Sequence, residues 1–455
     1  MYWANFLHIY QPPTQKAFWI NKIAAESYKK ITEGLLKNPN AKVTLNINAI
    51  LTEHLIENGW QSIIDDIIKL AKRGQVEFTE TAKFHPFLPL LPASEIKRQV
   101  ELNHKTNKKV FGDVYNPKGF FPTEMGWNEK IAKVVSDMGY SWVIIAELAF
   151  PKGEPKNDVV YYHKKYKKLN VFFRDGDISF RLLSAQVGVS LENTNMLKDF
   201  MGDNVKKNHA YMITAVDGET FGHHRPGLEE LLFDMYKSNL LKSVTISEIV
   251  DLFDKREPIL ARASTWALLK KDLHKKNPYT RWYSEKNEIH MAQWKLTDLA
   301  IKLIKKYPQK KPRLLLDRAV HSDQYWWASA QPWWSIEMIE AGAKDLVETI
   351  DSFKNIPKKF KEQAHTLYQE IVYTSFDWQR SDKIANLAKE ADEDVTQRIT
   401  KELPYIPIKE FNEIVKNLER QMLHAAKDKE YERAAQLRDR ITELNDKKNI
   451  LTKKR

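Results

Sequence analysis

Short apolar segments of strand character alternate with amphipathic helical segments over roughly the first 257 residues, and this alternation limits the possible folds more than any other feature. The sequence predicts strands at 3–9, 42–48, 76–79, 141–146, 159–162, 169–173 and 243–245. It predicts helices at 21–37, 51–58, 60–73, 94–111, 128–138 and 247–255. Repeated units of this kind favour a parallel sheet, open or closed into a barrel, with the chemistry at the carboxyl ends of the strands.

Two further strands lead into acidic residues. The apolar segment 211–216 runs into Asp217 and then into a loop with two glycines and two histidines, and the segment 118–127 delivers Glu124 beside Trp127. Taken alone, Asp217-Gly218 predicts no more than a turn that carries His223 on its loop. Two carboxylates at the ends of two strands of one sheet are, however, what retaining glycoside hydrolysis requires, with about 5 Å between them.

Several ordered motifs are more specific together than any one of them alone. They occupy positions 7–12, 74–78, 85–86, 118–127, 211–224, 263–266, 287–294 and 321–327. At these residues the chain resembles glycoside hydrolase family 57, which includes α-amylases, 4-α-glucanotransferases and glycogen-branching enzymes. The resemblance covers roughly the first 340 residues. It implies an incomplete (β/α)7 barrel at 1–257, followed by a helical domain at 258–405 that closes the cleft.

The resemblance also implies the roles of the two acids. Glu124 corresponds to the nucleophile, which forms a covalent glycosyl-enzyme, and Asp217 to the general acid/base. Asp217 must then hold its proton more tightly than Glu124, so we expect the higher pKa on Asp217. The implied substrate is an α-1,4-glucan or a maltooligosaccharide, and we expect neither a metal nor a cofactor.

Other residues are carried over as contacts to the substrate. The first motif of the family commonly reads His-x-His-x-Pro; here His8 is present, but Tyr10 replaces the second histidine, which affects substrate preference more than chemistry. Glu77 matches the second motif and is expected to hold a sugar hydroxyl or to orient Glu124. A strand-end glutamate paired with a basic side chain is the alternative.

Four more residues are expected in the cleft: Trp127, His223, Trp266 and Asp323. Trp266 and Asp323 come from the part predicted to be helical, with helices at 289–306, 311–328, 335–353 and 358–373. On helices, Trp and His at such spacing belong more often to a core than to a ligand site.

The segment 409–447 has a different character. Two alanine-bearing amphipathic helices are joined by a short charged connection, and Leu418, Met422, Leu437 and Ile441 fall on their apolar faces. The segment resembles the UVR motif, a helical hairpin that mediates protein association. A hairpin of this size has a small core, so we expect it to bind a partner protein or a second copy. The alternative is a helical pair packed on its own domain. Two prolines at 404 and 407 favour a hinge before it.

Composition excludes some classes of protein. The chain of 455 residues contains no cysteine, which excludes disulfides and thiolate-bound metal. Its net charge of +12 is spread over scattered lysine pairs, so we expect a solvated surface and no nucleic-acid partner. Neither a signal peptide nor a membrane segment is evident, and we expect a cytoplasmic enzyme that does not contact membranes.

Two rival functions remain at this stage. Related barrels host zinc-dependent α-mannosidases and polysaccharide deacetylases, but their His-x-Asp and Asp-Asp metal motifs are missing here. The candidate metal ligands would be His8, His85, His223 and His224. The chain is alternatively a non-catalytic adaptor that acts through the hairpin. The presence of both Glu124 and Asp217 favours catalysis.

Overall fold

The computed structural model describes residues 1–184, 209–274, 276–389, 408–427, 429, 431–446 and 448–452. Ten strands form one sheet: β1 (Tyr2–Ile9), β2 (Val43–Ile47), β3 (Val76–Glu80), β4 (Gly119–Phe120), β5 (Trp142–Ile145), β6 (Val160–His163), β7 (Asn170–Phe173), β8 (Tyr211–Asp217), β9 (Lys242–Ser243) and β10 (Arg256–Ile259). Their order is β10-β6-β7-β5-β4-β3-β2-β1-β8, and β9 pairs with the amino end of β1.

The sheet is parallel apart from the antiparallel pair of β6 and β7, which confirms the fold class expected from the alternation. The sheet curls until its two edges approach each other. The backbone N–H of Tyr211 in β8 donates to the carbonyl of Asn157, just before β6, at 2.7 Å. Among the described strands, β8 and β10 do not form a ladder with each other, so the barrel is incomplete.

The helices around the sheet are α1 (Ala17–Ile23), α2 (Lys29–Lys37), α3 (Ala49–Glu57), α4 (Gln61–Lys72), α5 (Ala93–Phe111), α6 (Glu129–Asp137), α7 (Gly176–Ser184), α8 (Leu228–Lys237) and α9 (Ile246–Leu252). The helical region that follows contains α10 (Glu288–Lys306), α11 (Lys310–Ala319), α12 (Asp323–Trp327), α13 (Ile336–Asp351) and α14 (Lys358–Arg380). Within the described residues, no helix combines the length and the apolar character needed to cross a membrane.

The central strands are buried on both faces, which explains their nearly continuous apolar sequence. In β1, Trp3 and Leu7 pack outward against the surrounding helices, whereas Ala4 and Phe6 face the inside of the curled sheet. The next inward residue is His8, which lies opposite Asp217 in the register of β1 and β8. The apolar interior of the barrel therefore ends at a polar layer formed by the last residues of these strands.

The predicted helix at 21–37 begins earlier, at Ala17, and is interrupted by a π-helical turn at Ala24–Tyr28. This turn packs on the loop that follows β8, where the Ser27 hydroxyl donates to the Gly218 carbonyl at 2.9 Å. Single π turns inside helices are frequent at functional sites. Here the turn fits the first helix to the loop after Asp217.

The predicted helix at 311–328 is two helices, because the chain breaks at Ser322 to contact the barrel. The Ser322 backbone N–H donates to the His85 carbonyl at 2.9 Å, and Pro86 forms an isolated bridge with His321. The strand β10 also crosses the expected domain boundary at 257/258. Beyond it, Ser264 exchanges two backbone hydrogen bonds with Trp127, at 2.9 and 3.2 Å. The barrel and the segments that follow it are thus joined by backbone hydrogen bonds at two places.

The carboxyl-terminal helices α15 (Ile408–Lys427) and α16 (Tyr431–Asp446) pack against each other and are followed by α17 (Lys448–Leu451). Their core contains all four apolar residues that the sequence predicted, with Leu418 and Leu437 fully buried. The hairpin meets the barrel at Gly227, where an added Cβ would lie 3.5 Å from Leu437 and 3.0 Å from Gln421. The predicted hinge at 404–407 lies outside the described residues.

Gly222 provides a test of the contact between the π turn and the loop after β8. Its φ is +102°, and an added Cβ would lie 2.1 Å from the carbonyl oxygen of Glu26. We expect Gly222→Ala to lower the free energy of unfolding by at least about 2 kcal/mol, because left-handed backbone and a clash with main chain both oppose alanine. Thermal unfolding followed by circular dichroism measures this effect.

Gly153→Ala is the matched control, since Gly153 has a φ of +76° and no heavy atom within 4 Å of an added Cβ. It carries the conformational cost alone, about 1 kcal/mol. Equal decreases in the free energy of unfolding for the two variants would mean that the contact with Glu26 contributes nothing to stability.

Candidate active site

The site lies where the carboxyl ends of β1 and β8 meet the loops after β3 and β4 and the first turn of α12. Five side chains in this place are partly exposed to the cleft: Tyr10, Glu124, Asp217, Trp266 and Asp323. Beneath them, His8 and His85 are buried. The structure therefore brings together five of the nine predicted site residues as the walls of one cleft, with His8 as part of its floor.

Glu124 is not at a strand end as predicted, because β4 stops at Phe120. It lies in a short 3₁₀ turn, Thr123–Met125, with a φ of +60° that is rare for glutamate. Its Oε2 accepts a hydrogen bond of 2.6 Å from the indole N–H of Trp266, and its carbonyl accepts from the backbone N–H of the same residue. Such strained conformations cluster at functional sites, where the surroundings enforce them.

The pKa of Glu124 is raised to about 8, mainly by burial and then by the negative charge of Asp217, against the hydrogen bond from Trp266. Burial also raises the pKa of Asp217, to about 6, while the guanidinium of Arg174 opposes this shift. Arg174 pairs with Glu147 at 2.7 Å and lies 5.7 Å from the centre of the Trp266 ring.

The two carboxyl groups differ in their surroundings. Asp217 has a cation nearby, whereas Glu124 has an apolar setting and the charge of Asp217 beside it. Because the charge of Asp217 raises the pKa of Glu124, the two carboxyl groups titrate as a pair that shares a proton in the empty site. The expectation that Asp217 holds this proton more tightly stays a prediction.

The floor of the cleft contains a chain of hydrogen bonds in which the donor and the acceptor of each bond can be assigned. His8 Nδ1 donates to the Asn46 amide oxygen at 2.7 Å, so its Nε2 accepts from His85 Nε2 at 3.2 Å. His85 Nδ1 must then accept from the Ser322 hydroxyl, at 3.0 Å. Burial lowers the pKa of His8 to about 4 and that of His85 well below its usual value, so both rings are neutral.

Tyr10 connects the barrel to the helical region. Its ring stacks on His85 with 3.8 Å between ring centres, and its hydroxyl donates to Asp323 Oδ2 at 2.7 Å. His321 Nδ1 lies 3.1 Å from the same oxygen. Although burial alone raises the pKa of Asp323, the hydrogen bond and charge of His321 bring it below the usual value. Asp323 is thus held as a carboxylate at the edge of the cleft.

Glu77 does not line the cleft, and the prediction that it binds a sugar or orients Glu124 is wrong. It faces the inside of the barrel opposite Thr44, in the layer below His8. Its Oε2 accepts 3.2 Å hydrogen bonds from the Thr44 hydroxyl and from the backbone N–H of Ser247, in the first turn of α9. Glu77 therefore satisfies the amino terminus of a helix that closes the barrel.

Trp127 is also misplaced by the sequence argument, since its side chain is only 1% exposed and belongs to the core between the barrel and the helical region. Apolar packing explains this aromatic residue without a ligand. His223 lies on the loop after Asp217, where its Nδ1 is 2.6 Å from Glu26 Oε2 of the π turn. Its contact with substrate stays a prediction.

Sequence reasoning did not assign site roles to Arg174 or Glu219, and it considered His85 only as a candidate metal ligand. His85 belongs to a recognised motif, and its φ of +54° brings it under Tyr10, which no sequence pattern indicates. Arg174 directly follows β7, so its position at a strand end was the available signal. Within the described residues, no group of three or more His, Cys, Asp and Glu side chains is arranged to hold a metal ion.

Comparison with known proteins shows two matches to family profiles and several related enzymes. Residues 5–260 match the profile of Glycosyl hydrolase family 57, and residues 412–447 match the UvrB/uvrC motif. The chain is 27% identical over 237 residues to an alpha-amylase of Pyrococcus horikoshii, covering 50% of this chain and 36% of that protein. It is 23% identical over 364 residues to a 4-alpha-glucanotransferase of Thermococcus kodakarensis, covering 70% of this chain and 53% of that protein.

The chain thus spans between about a third and a half of these two relatives. A solved structure shows the same fold over a longer stretch: a GH57-type branching enzyme of Pyrococcus horikoshii superposes with a TM-score of 0.60 at 16% identity, covering 82% of this chain and 96% of that one. The match to the family profile extends over more than half of the chain. The chain therefore belongs to glycosyl hydrolase family 57.

Proposed function

We propose that the protein is a retaining glycoside hydrolase or transglycosylase that acts on α-1,4-glucans. The observation that carries this proposal is the position of Glu124 and Asp217, both partly exposed, at the same end of the barrel. His85 lies 3.9 Å from Glu124 Oε1 and hydrogen-bonds to His8. His8 in turn lies opposite Asp217 in the register of β1 and β8. The choice of α-glucan follows from the names of the relatives, which are amylases and glucanotransferases.

In the first step, the Glu124 carboxylate attacks the anomeric carbon. A new C–O bond forms, the glycosidic C–O bond breaks, and its electron pair leaves with the oxygen of the departing sugar. That oxygen takes the proton of Asp217, which becomes a carboxylate. In the second step, Asp217 removes a proton from water or from a sugar hydroxyl, and the resulting oxygen displaces Glu124.

The ionised form of Glu124 is the reactive one, and Trp266 is suited to stabilise it. Its indole N–H points at Oε2, which leaves Oε1 of Glu124 for the anomeric carbon. His85 lies 3.9 Å from Oε1, but burial lowers its pKa well below the usual value and keeps it neutral, so it shapes the pocket without pairing with the charge. Asp323 and Tyr10 are the polar groups that we assign to the hydroxyls of the sugar bound there.

Water and sugar hydroxyls compete for the same covalent intermediate, so products distinguish the two activities. Incubation with maltoheptaose followed by chromatography is the test. Shorter oligosaccharides alone identify an amylase, and longer together with shorter ones identify a glucanotransferase. Absence of any turnover would overturn the proposal and favour the adaptor function.

We expect Glu124→Ala and Asp217→Ala each to lower turnover of maltoheptaose by at least about 10³-fold, because each removes one half of the mechanism. Azide should partly restore cleavage by Glu124→Ala by occupying the space of the lost carboxylate, giving an inverted glycosyl azide. Near-normal turnover by either variant would contradict the assignment.

The pKa values predict a bell-shaped dependence of kcat/KM on pH with limbs near 6 and 8. The active form has Glu124 ionised and Asp217 protonated. Trp266→Phe removes a hydrogen bond that lowers the pKa of Glu124, so the limb near pH 8 should move to higher pH. At pH 7, kcat/KM should fall roughly tenfold, as expected for one pKa unit.

Trp60→Phe is the control for this variant, because the Trp60 indole N–H donates to Asn21 in the contact between α4 and α1. It should leave both limbs in place. If Trp266→Phe lowers the rate without moving a limb, Trp266 contributes by packing and not through the charge of Glu124.

We also infer that the hairpin at 409–447 binds a partner protein or a second copy of the chain. Leu423 and Tyr431 are 65% and 67% exposed, and large apolar side chains on a small helical pair favour contact with another surface. The match to the UvrB/uvrC motif supports the same inference.

Removal of the chain from Lys409 onward should preserve turnover of maltoheptaose and abolish association. Light scattering and pull-down with the full-length and shortened proteins measure the second effect. Leu423→Glu tests the exposed face without removing the contact at Gly227, and it should weaken association alone. Loss of turnover in the shortened protein would mean that the hairpin is part of the enzyme body.

A further inference from the structure

Glu219 is a further carboxyl group in the active-site region, beside Glu124, Asp217 and Asp323, and the mechanism above does not use it. It lies two residues after Asp217 in the 3₁₀ turn Gly218–Thr220 and is only 4% exposed. Ionised carboxylates are rarely buried to this extent unless hydrogen bonds or cations compensate for the lost water. The groups around Glu219 therefore indicate what it does.

Among the described residues, the hydrogen bonds that the Glu219 side chain accepts come from neutral groups. Its Oε1 accepts from the Tyr10 backbone N–H at 3.2 Å, from the Gln11 side-chain amide at 3.3 Å, and from the Tyr28 hydroxyl. Tyr10 and Gln11 follow β1, and Tyr28 belongs to the π turn. One carboxylate thus fastens two separate segments of the chain to the turn that begins at Asp217.

The same arrangement leaves the charge of Glu219 without a cation among these contacts. Burial first and the charge of Asp217 second raise the pKa of Glu219, which is about 7 after the opposing effect of the hydrogen bond from Tyr28. An electrostatic interaction acts equally on both partners. A negative charge on Glu219 therefore makes the loss of a proton from Asp217 less favourable.

We propose that Glu219 is a positioning residue for Asp217: it fixes the turn that carries Asp217 against Tyr10, and its negative charge retains the proton on Asp217 until the leaving oxygen takes it. This inference rests on the proposed function, in which Asp217 is the general acid. It assigns to Glu219 no contact with the substrate. The π turn in the first helix acquires a function as well, because it supplies Tyr28 to this cluster.

The test uses two substrates that differ in their need for an acid. Maltoheptaose has a poor leaving group that must be protonated. An aryl maltooligoside made from an acidic phenol instead releases a phenolate, which leaves without a proton. Glu219→Gln keeps the size of the side chain and an acceptor oxygen but removes the charge. We expect kcat/KM for maltoheptaose at pH 7 to fall roughly tenfold, as for one pKa unit, and that for the aryl substrate to stay within about twofold. The limb of the pH profile near 6, which Asp217 governs, should move to lower pH.

Ser27→Ala is the matched control, since it removes the hydrogen bond from the π turn to the Gly218 carbonyl of the same turn and leaves the Glu219 carboxylate and its charge in place. It should change kcat/KM for both substrates by one common factor, and the limb governed by Asp217 should not move to lower pH. Thermal unfolding of both variants verifies that they are folded at the assay temperature.

The outcomes separate this inference from the proposed function. If the wild-type protein cleaves neither substrate, the proposed function fails first. The wild type could be active while Glu219→Gln lowers kcat/KM for both substrates equally and leaves the limb governed by Asp217 at the same pH. In that case Glu219 only holds the turn in place and the inference is wrong. Unchanged activity of Glu219→Gln on maltoheptaose would overturn it as well.

Discussion

The removal of three carboxyl groups from water is the constraint on which the rest of the site depends. Glu124, Asp217 and Glu219 lie at one end of a barrel whose interior is apolar, and each has a pKa above its usual value because of burial. Several kcal/mol would be needed to ionise all of them without compensation. The site instead holds protons at neutral pH, which is the condition for an acid and a nucleophile to act side by side.

Different parts of the chain control where those protons reside. Arg174 opposes the rise in the pKa of Asp217, and Trp266 does the same for Glu124 through its indole N–H. Tyr28 stabilises the ionised form of Glu219. The segment that carries Trp266 and the helix that begins at Asp323 both come from beyond the last barrel strand, so the site is complete only when the helical region packs on the barrel. The backbone contact between Ser322 and His85 is one point of this attachment.

The sequence allowed the architecture and most of the cleft to be predicted, because strands buried on both faces and the motifs at their ends are visible in it. Asp217 and His8 were placed correctly, since both end a strand and lie in register. Glu77 was misplaced because a strand pattern tells which face a residue occupies, but not which layer: Glu77 has the right face and lies below the cleft. Trp127 was misplaced because an aromatic residue beside a catalytic acid packs equally well into a core.

Features that arise from the folded environment could not be predicted. The left-handed turn at Glu124 depends on contacts with the segment around Trp266, far along the chain. The effect of Arg174, which opposes the rise in the pKa of Asp217 caused by burial, depends on packing between distant parts of the chain. The same holds for Glu219, whose partners come from the first helix and the first loop. Long-range packing determines all three.

The central claim is that Glu124 forms a covalent bond with the sugar while Asp217 supplies the proton. Its most direct test is to react the protein with a 5-fluoro glycosyl fluoride, which forms the intermediate faster than it is released, and to locate the added mass by mass spectrometry of the proteolytic peptides. The account predicts a single adduct on the peptide that contains Glu124, and no adduct in Glu124→Ala. An adduct on Asp217, or turnover to a product of inverted configuration without any adduct, would contradict it.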